Sequence, residues 1–168
     1  LKAYLNAIYG EGDWILAYID QQIYLNHMLI EDSKLKLSDV QNTVAQFMLQ
    51  FTGVSNAVTA DAMQTTSFTS GIFHLMQNGF NQKRSGDVML NLDPGWIEDN
   101  GMAADHNTAY SYDTQVPLIW YGWKINRQTI LREVHLTDIA PTLSLMLNIN
   151  APTGSSGNPI PELFNQNP

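Results

Sequence analysis

The chain has 168 residues with 44% hydrophobic and 14% charged side chains, a composition typical of one globular domain and not of a disordered chain. Eight Lys and Arg residues against sixteen Asp and Glu residues give a formal charge of −8, which argues against binding to nucleic acid or to an anionic membrane. The absence of cysteine excludes disulfides and thiolate zinc sites, so any metal ligand must be His, Asp, Glu or a hydroxyl group.

The N-terminal segment predicts a short helix followed by a β-hairpin. Residues 1–12 carry spaced apolar side chains and end in a Gly-Glu-Gly sequence, which is typical of a helix that stops at a glycine. Two apolar stretches, Trp14–Ile19 and Ile23–Leu25, then flank a polar turn and predict paired strands. His27 closes this segment, and we interpret it as a surface or turn residue.

The clearest helix begins at Ser38, which with Gln41 three residues later fits a capping box. Apolar side chains then recur at helical spacing and predict a buried face formed by Val40, Val44, Phe47, Met48 and Phe51. Gly53 ends the helix and Val54–Thr59 predicts a strand. Together these elements predict a β-β-α-β module.

The middle of the chain predicts a helix, a basic turn and a strand. The helix spans Gly71–Met76 and contains His74, which we interpret as a buried or half-buried histidine with its hydrogen bonds satisfied. Lys83 and Arg84 form the turn; solvated charges are the expected role, and a phosphate contact is the alternative. Alternating apolar residues in Asp87–Leu92 predict a strand that ends at Pro94-Gly95.

The segment of residues 105–122 is polar at first and then strongly apolar. Val116–Tyr121 is rich in β-branched and aromatic residues and is stopped by Gly122, which predicts a strand buried on both faces, with Pro117 at its start or at an edge. This places His106 on a loop directly ahead of a core strand, a location where metal sites are often built. Taken alone, however, a single histidine is more often a hydrogen-bonded loop or core residue than a metal ligand.

The last predicted helix begins after Asp138 or Thr137, with Pro141 in its first turn, where the missing N–H is tolerated. Its apolar spacing predicts a buried stripe formed by Ile139, Leu143, Met146 and Leu147. We interpret His135, just before the helix, as structural. The tail beyond residue 148 is rich in Pro, Gly, Ser and Asn and predicts coil.

Several ordered motifs resemble a known family. Residues 106–122 read His-x-Thr-x-Tyr-x-Tyr-Asp-x-x-Val-Pro-Leu-Ile-Trp-Tyr-Gly, preceded by Lys-Arg-Ser-Gly-Asp-Val at 83–88 and Pro-Gly-Trp at 94–96, and followed by Thr-Asp-Ile-Ala-Pro-Thr-Leu at 137–143. They resemble the C-terminal part of alkaline phosphatase superfamily enzymes, most closely the periplasmic bacterial phosphate-monoesterase branch, which is related to nucleotide pyrophosphatase/phosphodiesterases. The resemblance is strong over about residues 83–163 and looser over residues 22–26.

The resemblance implies an α/β fold, the C-terminal portion of an alkaline-phosphatase-like α/β/α sandwich with a small α+β subdomain. We expect the subdomain in residues 1–82 and the phosphatase-like core in residues 83–168. Family members use two zinc ions and a Thr or Ser nucleophile, and by resemblance His106 is a ligand of one zinc. The family's nucleophile and its other Asp and His ligands have no match here, so no catalytic residue is identified. Asn107 stands where many members carry Gly, and Asn tolerates a left-handed backbone.

We therefore expect the C-terminal piece of a periplasmic or secreted zinc-dependent phosphatase acting on phosphate monoesters. Leu1 in place of an initial Met also indicates a fragment, a processed protein or a trimmed chain. The expected partners are a phosphate-ester substrate and the missing N-terminal half, with no nucleic acid and no membrane. The separate chain is expected to be inactive and to self-associate through exposed apolar surface, a self-sufficient monomer being the alternative. Other possible functions are a phosphodiesterase, nucleotide pyrophosphatase, sulfatase or phosphonate hydrolase of the superfamily, or a non-catalytic binding domain.

Overall fold

A computed structural model of the chain describes residues 1–98, 108–122 and 125–164. It divides into two compact units, Leu1–Val116 and Pro117–Pro168. The elements of the first unit are α1 (Lys2–Tyr9), β1 (Ile15–Ile19), β2 (Gln22–Leu25), α2 (His27–Asp32), α3 (Leu37–Met48), β3 (Val54–Thr59), α4 (Ala60–Thr65), α5 (Gly71–Gly79), β4 (Val88–Leu92) and α6 (Ser111–Thr114). In the second unit, 3-10 turns at Leu136–Asp138 and Pro161–Leu163 flank α7 (Ile139–Leu147). No helix within these described ranges is long and apolar enough to cross a membrane.

The strands of the first unit form one sheet in the order β1-β2-β4-β3, with every neighbouring pair antiparallel. The predicted hairpin is present as β1 and β2. Its turn residues Asp20 and Gln21 have φ angles of 49° and 60°. Two consecutive residues with positive φ give the type of tight turn whose twist matches that of paired strands. β4 lies between β2 and β3 and is the inner strand on which the rest of this unit packs.

Helices cover both faces of the sheet. On one face, Ile23, Val88 and Leu90 join a buried cluster with side chains from α1, α2 and α3; these are Leu5, Ile30, Val40 and Val44. On the other face, Val58 and Met89 pack against Met63 of α4 and partly buried side chains that include Phe73 of α5. All five residues of β4 are therefore buried, whereas the sequence predicted alternation. The helix-sheet-helix layering of this unit agrees with the predicted α/β fold class.

The capping box predicted at Ser38 and Gln41 is wrong. Helix α3 begins at Leu37, its N-cap is Lys36, and no side chain caps it. Gln41 is buried and its amide nitrogen donates to the carboxylate of Asp87 at 3.0 Å. A side chain that reaches forward to a buried carboxylate cannot also reach back to its own helix terminus. Phe51, predicted in the buried stripe, lies beyond the end of α3 and is exposed.

The strand predicted at Val116–Tyr121 is also wrong. The segment forms no ladder within the described part of the chain, and the side chains of Val116, Ile119 and Tyr121 are exposed. A strand is stabilised by hydrogen bonds to a neighbouring strand and by cover on its faces, and neither follows from its own composition. The apolar composition alone therefore determined neither the pairing nor the burial of this segment.

The buried stripe predicted on α7 is wrong at two of its four positions. Leu143 and Leu147 are exposed, whereas Pro141, Thr142 and Ser144 are buried. Thr142 and Ser144 are accommodated because their hydroxyl groups donate to the carbonyls of Asp138 and Ala140, four residues earlier. The helix consequently turns a mixed face inward and a leucine face outward.

The contacts of β4 determine how far the first compact unit extends along the chain. β4 follows the expected boundary between residues 82 and 83, yet it pairs with β2 and β3 from the earlier segment. The first compact unit accordingly extends to Val116. The division of an intact protein into a subdomain of residues 1–82 and a core of residues 83–168 stays a prediction.

Candidate functional site

The candidate site is the loop around the predicted zinc ligand, which is tied to the end of the inner strand. Tyr110 donates its hydroxyl hydrogen to the carbonyl of Leu92, the last residue of β4, at 2.9 Å. The same hydroxyl accepts from the amide nitrogen of Asn91 at 3.1 Å. Because β4 is an inner strand that is buried along its whole length, these two bonds tie the loop to the core of the unit.

A second set of bonds closes the loop on itself. The backbone N–H of Thr108 donates to Asp113 Oδ2 at 3.1 Å, and the Thr108 hydroxyl donates to the same oxygen. The hydroxyl of Tyr112 accepts from the N–H of Gly95 at 3.1 Å, and the rings of Tyr110 and Tyr112 stack with centroids 5.6 Å apart. Residues 108–113 thus form a platform anchored both to β4 and to the turn that follows it.

His106 lies two residues ahead of this platform, outside the described residues. Its assignment as a zinc ligand therefore stays a prediction. The described residues of the motif have a local structural role. Hydrogen bonds that hold the loop are made by Thr108, Tyr110, Tyr112 and Asp113. Within the described ranges, no group of three or more His, Asp or Glu residues is arranged to hold a metal ion. Any zinc held by His106 would need its other ligands from elsewhere.

A cleft of about 410 Å³ adjoins Thr108 at the edge of the platform. Its wall combines the apolar side chains of Met76 and Met89 with the neutral polar side chains of Asn91 and Thr114. Asp20 is the one charged residue among the described residues that line it. Neutral hydrogen-bonding groups beside apolar surface are suited to an uncharged organic group, and they offer no cation for a phosphate.

The basic turn at Lys83 and Arg84 is exposed. Its backbone is held by Tyr24, whose hydroxyl donates to the carbonyl of Arg84 at 3.2 Å, and by Asn81, whose side chain accepts from the N–H of Lys83 at 3.1 Å. These contacts explain the turn as local structure. A phosphate contact by either side chain stays a prediction.

A buried carboxylate at Asp87 was missed by the sequence analysis. Its Oδ2 accepts from the N–H of Leu25 at 2.8 Å, and its Oδ1 lies 3.0 Å from Gln41 Nε2 and 2.7 Å from His27 Nε2. It therefore joins the start of β4 to β2, α2 and α3. One residue in the sequence could have indicated this site, namely Gly86 directly before Asp87. A Cβ at position 86 would lie 2.9 Å from the carbonyl oxygen of Ile23, so the backbone beside Asp87 must approach β2 closely.

The other histidines have structural partners. In the half-buried ring of His74, Nδ1 lies 2.8 Å from the carbonyl oxygen of Phe68 and Nε2 lies 3.1 Å from the side-chain nitrogen of Asn78. His135 is exposed, and its backbone N–H donates to Asp138. That His27, His74 and His135 are not zinc ligands stays a prediction.

In the second unit, Asp138 connects the start of α7 to the tail. Its carboxylate accepts from the backbone N–H of His135 at 3.0 Å and from that of Asn158 at 2.8 Å. These two bonds lower the pKa of Asp138, although burial opposes them. Thr142 adds a second connection, because its hydroxyl oxygen accepts from the N–H of Ile160 at 3.0 Å. The predicted tail coil is thus tied to α7, and the motif at residues 137–143 is explained by this packing.

An ion pair fixes the end of the tail. Glu162 receives two hydrogen bonds from the guanidinium of Arg132, at 2.6 Å and 3.0 Å. This pairing lowers the pKa of Glu162 to about 2 and raises that of Arg132. The pair is partly exposed, so we assign it to local structure and not to chemistry.

Comparisons with known proteins find two alkaline phosphatases and a protein named an ATPase. The chain is 32% identical over 98% of its length to the alkaline phosphatase PafA of Elizabethkingia meningoseptica and 30% identical over 87% of its length to the alkaline phosphatase PhoV of Synechococcus elongatus. It is also 30% identical over 99% of its length to a protein of Myroides odoratus named calcium-transporting ATPase. The crystal structure of wild-type PafA matches 98% of the chain with a TM-score of 0.87.

These matches cover only part of each relative. The chain spans 30% of PafA, 31% of the Myroides protein and 26% of PhoV, and 32% of the PafA crystal chain. No protein-family model matches the chain. The fold is thus established as the C-terminal portion of a PafA-like structure, whereas the activity of the whole protein has to be proposed.

Proposed function

Because the chain belongs to the alkaline phosphatase superfamily, we propose that it is the C-terminal part of a zinc-dependent enzyme that hydrolyses phosphate monoesters. The observation that carries this proposal is the similarity to two alkaline phosphatases along nearly the whole chain, together with a TM-score of 0.87 to the structure of one of them. The intact protein would contain the remaining parts of the active site.

In this proposal His106 is a ligand of one of two zinc ions. The support is its place in the motif, two residues ahead of Thr108, and the fixing of that motif to β4 by Tyr110. Anchoring of the neighbouring residues 108–113 would lower the entropy cost of ordering a ligand next to them when a metal binds. When bound, the zinc ions would polarise the phosphoryl group and stabilise the leaving oxygen. The nucleophile and the other ligands would lie in the part of the protein that this chain does not include.

Hydrolysis of ATP is a second candidate, favoured by the Myroides relative that is named an ATPase. A phosphodiesterase, nucleotide pyrophosphatase or sulfatase of the same superfamily also remains a candidate. These activities differ in the groups around the nucleophile, which are not in this chain. The cleft beside Thr108 contains neutral groups and one carboxylate, which favours a neutral alcohol over a polyphosphate as the leaving group.

We also propose that the intact protein is periplasmic or secreted. The support is the resemblance of residues 83–163 to the periplasmic branch of the superfamily. Fractionation of cells that express the intact protein tests this proposal, and recovery of the activity in the cytoplasmic fraction alone would contradict it.

The test of the proposed activity is a comparison of substrates with the intact protein. It should hydrolyse p-nitrophenyl phosphate, lose that activity when dialysed against a chelator, and regain it with added zinc. ATP and bis-p-nitrophenyl phosphate, assayed in parallel, separate the alternatives. Activity that survives complete removal of zinc, or a preference of tenfold or more for ATP or the diester, would refute the proposal.

A further inference from the structure

Asn91, in the cleft beside Thr108, is a buried side chain whose amide oxygen accepts no hydrogen bond from the residues that the structure describes. The residue exposes only 3% of its surface. Its amide nitrogen donates to the carbonyl of Leu92 at 3.0 Å and to the hydroxyl of Tyr110 at 3.1 Å. Because a carbonyl can only accept, the contact with Leu92 defines which end of the amide is the nitrogen, and Oδ1 remains as an acceptor.

This oxygen is open to a ligand. Among the described residues, Asn6 and Trp120 are the ones that enclose an unpartnered side-chain polar atom completely, and Asn91 is not one of them. Its oxygen therefore keeps contact with solvent, and the cleft is the opening that Asn91 lines. An acceptor held in place at such low exposure favours a ligand that brings a hydrogen-bond donor, because a ligand without one would displace water and leave the acceptor unpaired.

Asp20 supplies a second acceptor at the exposed edge of the same cleft. It makes no ion pair within the described part of the chain. The hairpin turn that carries it is tied to β4, because the N–H of Leu90 donates to the carbonyl of Gln21 at 2.8 Å. The carboxylate is thus placed beside the strand that carries Asn91.

The wall between these acceptors is apolar. Met89 lies two residues before Asn91 on β4, so both side chains point to the same face of the sheet, and Met76 of α5 adds to this wall. The cleft volume of about 410 Å³ falls in the range of about 300–1,000 Å³ that is typical of small-ligand sites. A sugar ring matches this combination, since its C–H faces pack on apolar side chains while its hydroxyl groups donate to the acceptors. A second anionic group is disfavoured by Asp20.

We propose that this cleft binds the sugar ring of a sugar phosphate monoester, with Asn91 and Asp20 accepting hydrogen bonds from its hydroxyl groups. This inference rests on the proposed function, because it names the alcohol that the intact enzyme releases. Thr108, which lines the cleft, is two residues from His106, a chain length of at most about 7 Å. A ring in the cleft is therefore close enough to a zinc ion held by His106 to belong to the substrate bound there.

Two phosphate esters and one pair of variants test the proposal in the intact protein. Glucose 6-phosphate and cyclohexylmethyl phosphate are both esters of a primary alcohol on a saturated ring of the same size, and only the first carries ring hydroxyls. A Cβ at Gly79, which lines the cleft, would meet no atom within 4 Å, so Gly79→Trp places a bulky side chain in the cleft without a clash. Gly154→Trp is the matched control, because Gly154 has the same free space and lies in the second unit.

Wild type and Gly154→Trp should prefer glucose 6-phosphate in kcat/KM by at least about tenfold, as expected for a site that hydrogen-bonds a substrate hydroxyl, and Gly79→Trp should lose this preference. Equal kcat/KM values for the two esters in wild type, or a preference that survives in Gly79→Trp, would overturn the proposal.

Saturation-transfer NMR on the intact protein measures binding of glucose itself, without any turnover. Glucose should receive saturation from wild type and from Gly154→Trp, and much less from Gly79→Trp. No transfer to glucose, or equal transfer in the two variants, would overturn the sugar site. Binding that Gly79→Trp blocks, in a protein that hydrolyses neither ester nor p-nitrophenyl phosphate, would refute the proposed function and leave the sugar site standing.

Discussion

Replacing Asp87 with alanine should destabilise the first unit by about 2–4 kcal/mol. The carboxylate is buried and accepts from the N–H of Leu25 and the side chain of Gln41, both of which are also buried. Each orphaned buried donor costs about 1–3 kcal/mol, and removal of a desolvated carboxylate returns part of that cost. His27 adds little to the sum, because its side chain is 60% exposed and water can replace the lost contact.

Urea unfolding followed by far-UV circular dichroism measures this effect. With a slope of about 2 kcal/mol per molar urea, the midpoint should fall by about 1–2 M. Asp87→Asn should lose less free energy of unfolding than Asp87→Ala, since the amide retains one acceptor oxygen. The control Asp32→Ala, at an exposed position, should change the urea midpoint little. Amide exchange at Leu25 should accelerate in Asp87→Ala. A loss below about 0.5 kcal/mol with unchanged exchange at Leu25 would refute the role of this carboxylate.

Three further predictions follow from the loop, from α7 and from the isolated chain. Tyr110→Phe should lower the free energy of unfolding by about 1–2 kcal/mol. The control Tyr24→Phe loses only an exposed hydrogen bond and should leave the free energy of unfolding unchanged. Equal decreases in the two variants would contradict the anchoring role of Tyr110. The pKa of Asp138 is lowered in the folded chain, so its carboxylate stabilises the fold above about pH 4 and that contribution is lost as the pH falls through the folded pKa. The difference in free energy of unfolding between wild type and Asp138→Asn, measured with urea, should therefore be larger at pH 6 than at pH 3. An equal difference at the two pH values would refute this reasoning. The isolated 168-residue chain should not turn over p-nitrophenyl phosphate with added zinc, and turnover that disappears in His106→Ala would overturn this expectation.

Much of the fold could be predicted where the signals are local. The hairpin of β1 and β2 follows from two apolar stretches around a short polar turn, and β3 has the predicted bounds, Val54–Thr59. The failures involve long-range contacts. Gln41 was interpreted as a helix cap, but its partner is Asp87, 46 residues later in the chain. The face of α7 could not be predicted, because a helix with leucines on several sides does not itself define which side is buried.

The candidate site was predictable only in part. The composition of residues 106–122 places a polar loop ahead of an apolar segment, and the structure explains its Thr, Tyr and Asp positions as anchors. The burial of Val116–Tyr121 could not be predicted, because a strand needs neighbours that its own sequence does not specify. Likewise, one histidine does not by itself define a zinc site, because such a site needs three or four protein ligands.

Zinc content and activity of His106→Ala in the intact protein test the central claim most directly. His135→Ala is the matched control, since His135 is exposed and alanine keeps the backbone N–H and carbonyl through which it bonds to Asp138. His106→Ala should lose bound zinc and reduce p-nitrophenyl phosphate hydrolysis at least about a hundredfold, as expected for loss of a metal ligand, while His135→Ala keeps both. Near-normal zinc content and activity in His106→Ala would contradict the assignment of this chain as the zinc-ligand-bearing part of a phosphatase.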